Sequence, residues 1–406
     1  MRNMRVLMLA PEFLPVRGGV GNYIAEISKR VPHDVEMYVV TPRQGTNESE
    51  HAQINGNEDF VSSDNVHVVY LGEAQDYFFG NFPFQVNCGF ELRRMIRDLR
   101  IDIVHSHSAM PDYFVSPDST GVPFLTTIHT TLEGHKNALK ASGSRFTELS
   151  MHERFALLLA PALKRFEDAY YSKNRHYSTV SEWGRERIVE EKKIPRDRVR
   201  VIRPGVDTSI FSPSKREVPL EAIDDIESPR VLYLSRMATR KGIYLLLKAI
   251  PRILKRLDAH FLIAGSGTLQ AELVPRSNTT FLGQVPMSHP PLLYAKSDVF
   301  VLPSLYENLP VCLLESMASG CAVVCSDVGG VREVVDHERT GLVIRPNDIT
   351  SIETAIIRMI EDDNLRREMT RNAMQSITRE FKWESTASQT MAHYQDILDG
   401  VERTSE

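Results

Sequence analysis

Two carboxylates stand eight positions apart, Glu307 and Glu315, in the stretch VFVLPSLYENLPVCLLESMASG that runs from Val299 to Gly320. Its apolar start, Val299 to Leu302, breaks at Pro303 and Ser304, and Pro310 then opens an amphipathic segment that reaches Gly320. That pattern predicts strand, loop and a helix over about Pro310 to Ser319, with proline in the first helical position and glycine just past the end. The amides and partial positive charge of such a helix start, at the carboxyl end of a strand, suit an anion. At a rise of about 1.5 Å per residue Glu315 lies roughly 7–8 Å along the axis from the helix start. This is close to the reach of a diphosphate with a sugar on each end, and a carboxylate accepts hydrogen bonds from vicinal sugar hydroxyls. Taken singly, either residue also fits a plain role, Glu307 matched to the helix dipole and Glu315 as an exposed mid-helix side chain.

Cations are placed to match. A strand expected at Val231 to Ser235 runs into Arg236-Met-Ala-Thr-Arg240-Lys241-Gly242 and a helix from Ile243 to Lys255. Arg236 by bidentate contact and Lys241 as a compact charge could neutralise a pyrophosphate and stabilise it as a leaving group. The alternative is a solvated basic loop. Near the N-terminus, Arg5 to Ala10 reads as a buried parallel strand, followed by a loop with Gly18, Gly19 and Gly21 and a helix from Tyr23 to Val31. The dinucleotide fingerprint needs its first glycine directly after the strand, and seven residues intervene here. The loop is left as either a flexible connection or a set of amides that approach a phosphate or sugar. His105 and His107 (IVHSHS) and His129 (FLTTIHTT) sit at strand ends. A metal would need further ligands and a second shell, so structural histidines are the default for the first two. His129 is expected at the carboxyl edge of its sheet, pointing into a cleft between domains. Glu133 and His135, just beyond it, are candidates to meet an acceptor.

The residues E307-NLPVCLL-E315 resemble the E-x7-E motif of retaining glycosyltransferases of family 4, which have the GT-B fold, and the flanking S-x-x-E-x-x-P and E-S-M-A-S-G strengthen the match. SRMATRKG resembles that family's G-R-x-x-x-x-K-G, with Ser235 where glycine is usual. GGVG is similar to its first loop, His129 to its T-x-H position, and VDTSIF to its interdomain region. The resemblance implies that Glu307 and His129 contact the transferred sugar, and that Arg236, Lys241 and the amides of Asn308 and Leu309 hold the diphosphate. It gives Glu315 the ribose, Val285 backbone contact with the base, and Gly19 a place facing the diphosphate. It also implies two doubly wound, Rossmann-like α/β domains with a nucleotide sugar between them (UDP-, GDP- or ADP-linked). A hexose-type sugar would pass to a sugar, lipid-linked or small-molecule acceptor with retained configuration, without a required metal or other cofactor. A nucleotide-sugar epimerase and a non-catalytic binding subunit share the fold. The first is opposed by the E-x7-E arrangement with its cations, the second by the presence of every charged donor residue.

The remaining sequence is consistent with this plan. A chain of 406 residues exceeds what one core usually supports. Strand-like and helix-length runs alternate, which argues for parallel sheets covered on both faces. Domains are expected over 1–205 and 229–384, joined by a Pro- and Asp/Glu-rich linker at 206–228, with an amphipathic tail, about 385–406, crossing back to the first domain. Gln44 to Asp64 reads as a long polar surface loop. Phe155, Leu158, Leu159, Ala162, Phe166, Ala169 and Tyr170 recur at helical spacing and are expected to be core, the alternative being a face for a lipid acceptor or membrane beside Lys164, Arg165, Lys173 and Arg175. A net charge of −5 gives no argument for nucleic acid. Four cysteines without a C-x-x-C pair read as free thiols in a reducing compartment. With no run near 18 apolar residues and no cleavable leader, the expected location is the cytoplasm, with peripheral membrane contact left open. Nothing in the sequence speaks to oligomeric state.

Overall fold

Short apolar runs without polar alternation become parallel strands buried on both faces, because the crossover helices cover them. β1 (Met4–Leu9) is such a strand, with Val6, Leu7, Met8 and Leu9 wholly buried. The computed structural model describes residues 3–13, 18–44, 64–74, 82–107, 115, 117–141, 151–172, 176–227, 229–267, 269 and 278–405. The expected loop at Gln44 to Asp64 lies almost wholly outside the described residues, as do Lys173 and Arg175.

The first sheet contains β1, β2 (Val35–Gln44), β3 (Val66–Ala74), β4 (Ile103–Ser106), β5 (Phe124–Ile128), β6 (His176–Thr179) and β7 (Val199–Val201), all parallel, in the order β3-β2-β1-β4-β5-β6-β7. β7 has only three residues, too few for periodicity to mark it in the sequence. The first helix is Gly19–Ser28 rather than Tyr23 to Val31. Gly18 takes the extended N-cap conformation, so the glycine run forms the first helical turn, and Pro32 disfavours helical geometry at Val31.

The second sheet contains β8 (Arg230–Leu234), β9 (His260–Ala264), β10 (Thr279–Gly283), β11 (Val299–Leu302), β12 (Ala322–Ser326) and β13 (Leu342–Ile344), all parallel, in the order β10-β9-β8-β11-β12-β13. Counted along this sheet, that is the doubly wound order 3-2-1-4-5-6, whose direction reverses between β8 and β11. Helix Ile243–Ile253 buries Leu246, Ala249, Ile250 and Ile253 in the core with Val231, Phe261 and Val301 of the strands.

Two compact units result. One comprises Met1–His129, Pro161–Pro204 and Trp383–Glu406; the other comprises Thr130–Ala160 and Gly205–Lys382. In the first, the C-terminal helix Trp383–Ser405 is tied down by Arg30 to Glu384 (2.9 Å), by Thr386 Oγ1 donating to the Arg203 carbonyl (2.7 Å) and by Tyr394 meeting His105 (2.6 Å). In the second, residues between 206 and 227 are ordered by a 3₁₀ turn at Pro213–Glu217 and a helical turn at Glu221–Asp224, with Asp224 paired to Lys296 at 2.8 Å. Of the expected core stripe on helix Met151–Tyr171, the side chains of Phe155, Leu159 and Ala162 lie outside the described residues, and the others are only partly core. Tyr170 is buried, but Leu158 is 67% and Phe166 53% exposed, and Ala169, Lys164 and Arg165 are also exposed. A 3.6-residue repeat marks one face of a helix without showing whether anything covers it. Among the described residues no helix is long and apolar enough to cross a membrane.

Gly242 shows how tightly the second unit's loops meet. It has φ +68°, and a Cβ there would lie 1.9 Å from the Pro303 carbonyl oxygen. Gly242→Ala should therefore lower the urea midpoint by the equivalent of at least about 2 kcal/mol, combining a left-handed backbone with a backbone clash. Gly19→Ala, whose Cβ would meet nothing within 4 Å, should leave it nearly unchanged. Equal midpoints for the two variants would mean that the loop yields freely.

Candidate functional site

In the second unit the loops after β8 and β11 leave the sheet at its reversal point, where open α/β sheets bind ligands. The amide of Leu305 donates to the Arg240 carbonyl at 2.8 Å, fastening one loop to the other. Gly329, with φ +59°, lets a third loop close in, since a Cβ there would be 1.8 Å from the Glu307 carbonyl oxygen, and the Gly330 amide donates to the Asn308 carbonyl at 2.7 Å. The backbone of Glu307 and Asn308 is thus clamped from both sides.

Their side chains form the charged centre. Glu307 is 6% exposed, and its Oε1 accepts from Lys241 Nζ at 2.5 Å and Ser304 Oγ at 2.7 Å. Burial alone would push the Glu307 carboxyl up, but the charges of Lys241 and Arg240 and the two hydrogen bonds outweigh it and hold it below its ordinary value. The Lys241 ammonium is pulled down by burial and by Arg240, which together exceed the attraction of Glu307. Arg240 is lowered by burial and by neighbouring Arg236. Two cations, Lys241 and Arg240, therefore act on one carboxylate, and with Arg236 beside Arg240 they leave the loop positive, which suits a dianionic ligand.

Sequence reasoning missed Arg240 and Ser304 as members of this centre. Ser304 had a signal, since it opens the S-x-x-E-x-x-P string already matched to the family motif. Arg240 had none, because only the 3₁₀ turn Thr239–Lys241 sets it near Glu307. The structure also corrects the helix start. Pro310 is the N-cap (φ −78°, ψ 112°) and the helix is Val311–Ala318, so the amides of Asn308 and Leu309 belong to the loop before it. Glu315 is then about 6 Å along the axis from the first helical residue. It is half-buried and accepts a hydrogen bond from the Tyr294 hydroxyl, which is buried beneath it. Val285, half-buried, follows β10. Arg236 is exposed on the loop after β8, and the Tyr233 hydroxyl donates to its carbonyl at 3.1 Å.

Helix Leu132–Ala141 also groups with this unit. Thr131 Oγ1 accepts from the Gly134 amide at 3.1 Å near its start, and Gly134 packs so closely on Tyr306 that a Cβ would lie 2.3 Å from that ring. Glu133 pairs with Lys136 at 3.3 Å; the side chain of His135 lies outside the described residues.

In the first unit the corresponding reversal lies between β1 and β4, and the polar residues gather there. His105 is fully satisfied, with Nδ1 2.6 Å from Tyr394 Oη and Nε2 2.7 Å from Thr127 Oγ1, which in turn meets Ser178 Oγ at 2.6 Å. His107 Nδ1 is 3.1 Å from His129 Nε2, and Tyr23 packs against both rings. Burial pushes His129 down to about 4, and His105 and His107 well below the ordinary imidazole value. Gly19 is the first residue of helix Gly19–Ser28. Among the described residues, no group of three or more His, Cys, Asp or Glu side chains is placed to hold a metal ion.

Two doubly wound parallel-sheet units, one with a cationic, acid-bracketed strand–loop–helix at its switch point, define a GT-B glycosyltransferase. Comparison with known proteins agrees. Residues 17–210 match the family model described as Glycosyltransferase Family 4, and residues 222–376 match Glycosyl transferases group 1. Between them these models match most of the chain, and it belongs to the family 4 glycosyltransferases, enzymes that use nucleotide sugars. The chain is 28% identical to an uncharacterized glycosyltransferase of Methanocaldococcus jannaschii over 75% of this chain and 77% of that one. It is also 28% identical to a glycogen synthase of Mycobacterium tuberculosis over 96% and 94%. The solved structure of a sucrose-phosphate synthase from Thermosynechococcus elongatus superposes with a TM-score of 0.77 at 19% identity, covering 98% of this chain and all of that one.

Two predictions follow from the charges. Glu307→Leu leaves Lys241 a buried cation beside Arg240, and should cost about 3 kcal/mol in urea unfolding, whereas the double variant with Lys241→Met should recover most of that loss. Additive losses would show that the two side chains do not interact. Unfolded imidazoles bind protons near pH 6.5, while folded His129 does so only at about 4. Stability is therefore complete above the unfolded value and is lost progressively as pH falls toward the folded one. Urea midpoints measured at about pH 7.5, 6 and 5 should decline, and the decline should be shallower in His107→Asn. Parallel curves would mean that the cluster is hydrated.

Proposed function

We propose that this enzyme moves a hexose-type sugar from a nucleotide diphosphate sugar to an acceptor hydroxyl with retention of anomeric configuration. The second unit takes the donor. Arg236 and Lys241, joined by Arg240 and by the amides of Asn308 and Leu309, hold the diphosphate. Glu315 takes the ribose hydroxyls, with Tyr294 holding its carboxylate, and the backbone at Val285 meets the base. Glu307 and, from the first unit, His129 act on the transferred sugar, with Gly19 facing the diphosphate and Glu133 and His135 toward the acceptor. The observation that carries this reading is the low-titrating Glu307 held by Lys241 and Arg240, eight residues before Glu315, at a sheet switch point.

In the reaction the bond between the anomeric carbon and the phosphate oxygen breaks, and a bond to the acceptor oxygen forms on the same face. The acceptor proton passes to the departing phosphate, whose growing charge Arg236, Arg240 and Lys241 stabilise. Those residues carry the charge a divalent ion would otherwise supply, so no metal is required. The free thiols Cys88, Cys312, Cys321 and Cys325 fit a reducing, cytoplasmic setting.

A mass-spectrometric screen of UDP-, GDP- and ADP-sugars should find one donor slowly hydrolysed, with full rate in EDTA and the released anomer unchanged at the first NMR time point. Glu315→Ala should raise the donor KM with a smaller effect on kcat, as loss of uniform binding does. Absence of both turnover and nucleoside diphosphate binding would overturn the donor site. An inverted anomer would overturn retention, and activity restored to an EDTA-treated enzyme only by a divalent ion would overturn metal independence.

A further inference from the structure

His107 has no part in the reaction just described, yet it is 2% exposed and its ring is fixed on several sides. His105 lies 4.2 Å away between centroids, His129 at 5.4 Å and nearly parallel, and Tyr23 at 5.7 Å, itself backed by Trp383. His105 uses both of its nitrogens on Tyr394 and Thr127 and offers neither to His107. Among the described residues, the His107 side chain makes a 3.1 Å approach of its Nδ1 to His129 Nε2, while its Nε2 is buried without a hydrogen-bond partner.

Two neutral imidazoles that meet nitrogen to nitrogen hold one proton between them, so one ring donates and the other accepts. If His107 accepted at Nδ1, its own proton would sit on the orphaned Nε2, a buried N–H with no acceptor. Such donors are rarer in folded proteins than unshared lone pairs. If His107 donates from Nδ1, the orphaned Nε2 carries only a lone pair. We infer that His107 is a positioning residue that donates Nδ1–H to His129 Nε2 and so holds neutral His129 in its Nδ1–H form. The proton on one ring nitrogen is set by the bond the other makes, as in the outer-shell partners of metal-bound histidines. Burial keeps both rings uncharged near neutral pH, so the tautomer is the variable left to control. This inference rests on the role given to His129 above, because a donor aimed at the sugar or phosphate is what that role requires.

The test uses the full-length chain with ¹⁵N-labelled histidine. Long-range proton–nitrogen NMR distinguishes the two ring forms without any donor substrate, and the His129 signals are assigned by their loss in His129→Gln. The expected wild-type result is a protonated Nδ1 and a bare Nε2 on His129. His107→Leu should move His129 to the Nε2–H form, while His107→Asn, which keeps an N–H donor, should retain Nδ1–H. With the donor found by the screen, His107→Leu should lower kcat by about tenfold to a hundredfold with little change in donor KM, and His107→Asn should restore much of it. An Nε2–H tautomer in the wild type overturns the inference, as does an unchanged kcat in His107→Leu. If instead the NMR result stands and His129→Gln turns over at the full rate, the role of His129 in the reaction fails while the tautomer assignment survives.

Discussion

A single ion pair organises the second unit: Lys241 and Glu307, 2.5 Å apart on loops that come from non-consecutive strands. A buried charge pair is worth little unless its remaining hydrogen-bonding capacity is met and its geometry is held. Here Ser304 supplies the second hydrogen bond to Glu307, and the backbone bond from Leu305 to Arg240 keeps the loops in register. Gly242 and Gly329 remove the side chains that would keep three backbone segments apart. Arg240 then adds a charge that Glu307 welcomes and Lys241 does not, so the two partners of the pair shift in the same direction for opposite reasons. The net positive charge is the property a leaving diphosphate needs, and it exists before any ligand arrives. Preorganised charge of this kind requires no rearrangement at the moment of reaction.

The first unit uses the same sheet architecture for a different end. At its reversal point between β1 and β4 burial keeps His105, His107 and His129 neutral at physiological pH, and their order comes from hydrogen bonds and ring packing. Tyr394, His105, Thr127 and Ser178 form a continuous bonded line across three neighbouring strands and onto the C-terminal helix. A fully satisfied buried network of that kind specifies one arrangement, since any single loss leaves its neighbour unpaired. It gives the His107–His129 pair a rigid floor, with Tyr23 and Trp383 closing the side.

The two units differ in how readily their chemistry can be read from the chain. In the second unit most of the site is local: Ser304, Glu307 and Glu315 lie within twelve residues of one another along the sequence, and Arg236 and Lys241 within six. Helical rise and turn preferences therefore place them approximately without a tertiary argument. In the first unit the partners of His105 and His107 lie 22 or 289 positions away. No spacing rule connects Tyr394 to a histidine near residue 100.

The sequence alone determined the sheet class and the doubly wound halves, and it set two acids and two cations on segments that follow strands, because apolar periodicity and short-range spacing survive in one dimension. It placed the helix start one residue early, since proline serves an N-cap as well as a first turn, and it put Leu158 and Phe166 in a core that does not cover them. Only the tertiary structure decided that Lys241 pairs with Glu307, that Arg240 joins them, and that His107 faces His129. Each of those facts depends on which strands lie side by side, and strand order is set by long-range packing that no local pattern encodes.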